Sequence, residues 1–172
     1  MSSPTTKDDR AEMERLLAGL DLFRDWRMAC ARHVRGPDHI LDPNEFVEPG
    51  HRFLERFDRQ PEHAQFWIKE VRKWYAVTAS ELKGLLKNGS PNDQMAVQAF
   101  LDDFKARLGF SLLAESGLLR SLATKVLRRG RVVSAEEYED LTEILNDQSQ
   151  SIISDGEARS LETILVAFEH RS

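Results

Sequence analysis

Between Gln60 and Gly89 the apolar residues fall at three- and four-residue steps: Trp67, Val71, Trp74, Thr78, Leu82, Leu85 and Leu86. That spacing lines one face of an α-helix, and Pro61 suits the first helical position, where a backbone N–H would go unused. Asn88-Gly89 stops the pattern. A helix of about 27 residues reaches about 40 Å at 1.5 Å per residue, enough to run the length of a small domain. The remainder of the chain has to pack along this rod.

The flanking sequence is helical in period as well. Ser90-Pro91-Asn92-Asp93 reads as an N-cap, a proline at the first position and an acid in the first turn. It opens a helix carrying Val97, Phe100, Leu101, Phe104 and Leu108, which Gly109 closes. A further helix is expected from 110 or 111 to Arg129, with Gly117 as a bend. Upstream, two helices are expected at 8–18, striped by Met13, Leu16 and Leu17, and at 21–35, striped by Leu22, Phe23, Trp26, Cys30 and Val34. Three prolines make 37–50 an irregular loop with a helical turn opened by Asp42-Pro43, and a short helix follows at 49–59.

The C-terminal quarter carries the fullest start signals. Ser134 with Glu137, and Ser154 with Glu157, have capping-box spacing, in which the serine oxygen and the acid each satisfy a free N–H of the first turn. Val133 and Tyr138 stand where a hydrophobic staple would, and helices are expected at 135–146 and 155–169. Strand-like alternation is hard to find. The fold class expected is all-α: one compact multi-helix domain over 1–172, of about seven or eight helices, with a long central helix and a C-terminal helical hairpin. Within it, 1–7 is expected to be flexible and 134–172 to form an acidic helix pair.

Composition narrows the class further. The only cysteine is Cys30, which excludes an internal disulfide framework, and no apolar run approaches the roughly 20 residues of a membrane-spanning helix. MSSPTTKDDR lacks the apolar core of a secretion signal, so a soluble, cytoplasmic protein is expected, with no membrane partner.

Charge changes sign sharply. Residues 101–133 hold 7 Lys/Arg against 3 Asp/Glu, whereas 134–172 hold 2 against 10, within a net charge of -5. The switch falls inside RRGRVVSAEEYEDL, residues 128–141. Helix punctuation accounts for most of it: Lys125, Arg128 and Arg129 favour the negative end of one helix, Gly130 supplies the left-handed residue past it, and Ser134 and Glu137 begin the next. Arg131 alone is left without a role. Lys125, Arg128, Arg129 and Arg131 are therefore the candidate anion or nucleic-acid site, opposed by the acidic tail.

Catalytic chemistry finds little material. No nucleophile elbow, phosphate-cradling glycine loop or zinc-type spacing is present, and Cys30 sits on an apolar stripe. Glu48, His51 and Glu55 approach the Glu-x-x-His spacing of di-iron bundles, but Pro49 and Gly50 keep Glu48 off the helix. Read as a calcium loop, 146–157 has Gln148 and Gln150 where carboxylates are needed and Ser151 where glycine is needed. No catalytic residue, metal site or cofactor is assigned.

The stretch FWIKEVRKWYAV, residues 66–77, is more informative, because Phe66 and Val77 fall off the main stripe of the long helix. The helix is thus apolar over more than half its circumference, as expected of a central element wrapped by others. Phe66, Arg72, Lys73 and Val77 are the candidate partner-binding residues, since aromatics and arginine are favoured at interface hot spots. The functional expectation is a non-catalytic helical protein-interaction or regulatory module, binding a partner or itself. Two alternatives stay open: a nucleic-acid-associated protein using the patch near 120–131 masked by the acidic tail, and a helical enzyme or ligand binder with a pocket near the 37–50 loop.

Overall fold

A computed structural model describes residues 6–146 and 153–171, and among these residues it contains eight α-helices and no strand. Helix α1 spans Lys7–Arg35 under a capping box in which Asp9 N–H donates to Thr6 Oγ1 at 3.0 Å and Thr6 N–H to Asp9 Oδ2 at 2.9 Å. It replaces the two helices expected at 8–18 and 21–35. Nothing between them breaks a helix: no proline intervenes, and Gly19 stays helical. Gly19 has a tertiary purpose instead. A Cβ there would lie 2.0 Å from the Tyr75 hydroxyl, which donates to the Leu16 carbonyl at 2.6 Å across the core.

Pro43–Glu45 makes the expected single turn inside the 37–50 loop, and α2 spans Gly50–Arg59. Its first N–H, on Gly50, donates to Asp21 Oδ1 of α1 at 2.7 Å. After a 3-10 turn at Pro61–His63 comes α3, Ala64–Asn88. It is the central element, packed against α1, α2 and α4. Its buried residues are Ala64, Ile68, Val71, Tyr75, Thr78, Ala79 and Leu82, so the inward face is turned toward Ile68 and Tyr75, and Trp74 lies outside it.

Helix α4 (Pro91–Leu108) begins at a Ser90–Asp93 capping box and ends at Gly109 in the left-handed region, φ 75°. The single helix expected from 110 or 111 to 129 is divided. Helix α5, Leu112–Glu115, is one turn that buries Leu112 and Leu113 against α3. Gly117 then takes φ 76°, and α6 runs over Leu118–Arg129. The bend is thus a break.

Helices α7 (Ala135–Asn146) and α8 (Asp155–Glu169) have the expected bounds. Ser154 and Glu157 form the full capping box. At Ser134 only half forms: Glu137 N–H donates to Ser134 Oγ at 3.2 Å, but Glu137 Oε2 accepts from the N–H of Val133, at 3.0 Å. The expected staple does not bury Val133. Val133 is 55% exposed, and its neighbour Val132 is the buried valine. One cluster of buried side chains extends from Met13 to Leu165, although α6, α7 and α8 pack chiefly on one another and on α5.

Candidate functional site

The inner face of α3 is fully used by the core, which leaves its outer edge to be explained. Phe66 is 52% exposed, Trp74 40% and Val77 59%. Phe66 lies edge-on to Trp67 with ring centroids 5.2 Å apart, and the Trp67 indole N–H donates to Gln60 Oε1 at 3.2 Å, which fixes the N-terminal end of the edge. Of the two cations predicted beside it, Arg72 is committed to α1 through Glu12 at 2.6 Å, and Lys73 pairs with Glu70 along the helix. The structure thus keeps Phe66 and Val77 as apolar surface and adds Trp74, which the sequence assigned to the buried stripe. Tryptophan at a three- or four-residue step belongs to either of two adjacent faces, and only the packing of Tyr75 decides between them.

Trp74 and Val77 also wall a cleft of about 160 Å³ between α3, α1 and the 37–50 loop, with Phe23 and Phe46 as its other aromatic walls. Arginines fasten the loop over α1. Arg24 donates to the Val47 carbonyl at 2.6 Å, Arg35 pairs with Glu45 at 2.7 Å, and Arg27 crosses to Glu81 of α3 at 3.0 Å. On the far side of the loop a second cleft, about 300 Å³, is bounded by Trp26, Cys30, Val34, Phe46 and Leu85. Burial raises the Cys30 thiol above its ordinary pKa, against the nearby charge of Arg27, so the thiol is kept protonated.

These clefts gather no catalytic set. His33, His39, His51, His63 and His170 are exposed and apart, and no group of three or more potential metal ligands comes together among the described residues. Glu48 of the Glu48, His51 and Glu55 trio is gripped by both Arg56 nitrogens at 2.7 Å, and this holds its carboxyl below the ordinary range. The calcium-loop reading of 146–157 lies largely outside the described residues.

The basic junction is mostly internally paired. Arg129 hydrogen-bonds Glu137, which Lys125 approaches at 4.0 Å, and Arg120 pairs with Glu157 at 2.8 Å. Although burial works to raise Glu137, the Arg129 hydrogen bond and the Val133 N–H leave it below its ordinary value. Arg128 and Arg131 are exposed and make no ion pair among the described residues. Two of the four predicted cations, Lys125 and Arg129, therefore share the one Glu137 carboxylate of the tail, and two are open. No helix among the described residues is long and apolar enough to cross a membrane. Comparison with known proteins finds no matching family model, no significantly similar curated protein and no significantly similar solved structure.

Proposed function

We propose that this protein is a non-catalytic helical interaction module whose contact surface is the outer edge of α3, centred on Phe66, Trp74 and Val77. The carrying observation is the exposure of two aromatics and a valine on a helix whose opposite face is closed into the core. Isolated exposed apolar residues are ordinary, but a tryptophan and a valine set on a central helix beside a small cleft of mixed polar and aromatic lining have the anatomy of an interface hot spot. The cleft gives a partner side chain a place to insert, and its Arg27–Glu81 rim supplies polar contacts.

Trp74→Ser with Val77→Asp tests the reading, because both side chains are exposed enough for the fold to survive their loss. Retained helical content by circular dichroism, together with loss of proteins co-purifying with the tagged chain, is the expected result. Unchanged co-purification would reject this edge as the contact surface.

A further inference from the structure

The C-terminal helices pack chiefly on one another and on α5, at one end of the continuous core. Leu119, Ala123, Val126, Val132, Leu141, Ile144, Ile153, Leu161 and Leu165 are buried, all within α6, α7, α8 and their connections. Their covalent link to the rest is the one-turn helix α5, and that side of the link is anchored. Leu112 and Leu113 are buried, Glu115 pairs with Arg15 of α1 at 2.9 Å, and the Arg15 guanidinium lies 4.4 Å over the Phe110 ring. Two residues later Gly117 stands in the left-handed region with nothing within 4 Å of where a Cβ would lie, and the Ser116 hydroxyl spans it, donating to the Leu113 carbonyl at 2.5 Å and accepting from the Leu118 N–H at 3.1 Å. An anchored turn followed by a left-handed glycine is a place where a body of helices can rotate once the Ser116 bridge gives way.

What closes the other side is polar. Between α7 and the α3–α4 pair lies a cleft of about 430 Å³, with Leu86, Leu101 and Leu113 in its walls. Across it, Lys83 of α3 binds Asp140 of α7, Lys87 reaches Glu136 at 3.5 Å, and Ser111 Oγ donates to Glu143 at 3.0 Å. Of the two ion pairs Lys83–Asp140 is the more enclosed, with side chains 24% and 15% exposed against 67% and 54% for Lys87–Glu136. Long, directional contacts over a gap hold a position without the interdigitation that would lock a core.

We propose that α6–α8 form an arm that swings about Ser116–Gly117 and is latched against α3 by Lys83–Asp140, with Lys87–Glu136 as a second tether. Opening widens the cleft and bares Leu86, Leu101 and Leu113. The arm does not depend on the α3 outer edge being a contact surface.

Spin labels at Ala106→Cys on α4 and Glu162→Cys on α8, in a Cys30→Ser background, report the arm by electron double resonance from outside the cleft. Lys83→Glu should shift the distance distribution longer and broaden it, and Lys83→Glu with Asp140→Lys should return it to the parent distribution. If Lys83→Glu loses helical content, Asp140→Asn removes the same charge pair with less disturbance and should give the same shift. A distribution unmoved by breaking the pair overturns the proposal, and so does a shift that the charge exchange fails to reverse.

Discussion

Gly19 shows how much of this fold rests on one missing atom. Alanine is the better helix former by about 1 kcal/mol, so local propensity alone favours Gly19→Ala. The structure says otherwise, because the new Cβ would meet the Tyr75 hydroxyl at 2.0 Å and Phe104 at 2.8 Å, both side chains being fully buried. Gly19→Ala should cost about 1–3 kcal/mol by overpacking, measured as a lowered denaturation midpoint. Tyr75→Phe, which removes the bond to Leu16, should cost about 0.5–1.5 kcal/mol. The double variant should be more stable than the sum of the two losses, since phenylalanine vacates the space the Cβ needs. Additive losses would show that the hydroxyl is not what excludes a side chain at Gly19.

Glu157 carries a charge prediction at the same scale. The Arg120 hydrogen bond, followed by the Ser154 N–H, holds its carboxyl at about 2, below the ordinary 4.5. A depressed carboxylate contributes stability that is complete above its unfolded value and lost as pH falls toward its folded one. Glu157→Gln should therefore melt below the parent protein at pH 7, with the gap closing between about pH 4.5 and pH 2. A gap independent of pH would assign the effect to packing.

At the scale of elements, what could be read from the sequence was what the chain writes locally. Ser90-Pro91 and Gly109 bound α4, and Ala135–Asn146 and Asp155–Glu169 follow the serines that open them, because capping chemistry sits within a few residues of each end. The misses have one cause. A junction was expected at 19–20 and a bend at Gly117, yet Gly19 is helical with Tyr75 packed over it and Gly117 is a left-handed break, and glycine is compatible with both. The choice is made by residues more than fifty positions away in the first case. Trp74 was assigned inward for a related reason, since Ile68 and Tyr75 rotate the buried face and only their partners reveal it. Of the candidate site, Phe66 and Val77 were legible as apolar residues off the stripe, whereas the pairing of Arg72 with Glu12 spans sixty residues and leaves no local trace. Gly130→Ala tests the punctuation reading of the basic junction: its φ of 73° should make the substitution cost about 1 kcal/mol, with no clash to blame.

For the whole molecule, the acidic tail is structural before it is anything else. Helix α6 buries Leu119, Ala123 and Val126 in contact with α7 and α8, so deletion of 134–172 should expose that face and yield an aggregating or partly unfolded chain. Static light scattering would show this directly. Charge follows the same logic: pairing of Arg120, Lys125 and Arg129 with Glu157 and Glu137 disperses the basic segment, and a net charge of -5 adds no pull toward phosphate. The edge of α3 with Phe66, Trp74 and Val77 is then an apolar surface that the fold leaves unexplained.

Photocrosslinking from that edge tests it most directly. A photoreactive amino acid placed at Val77, or at Glu162 on the exposed side of α8 as control, is activated in the cells that make the protein. A discrete crosslinked species is expected from Val77, either with a second copy or with one foreign protein, and none from Glu162. Equal, diffuse labelling from both positions would contradict it.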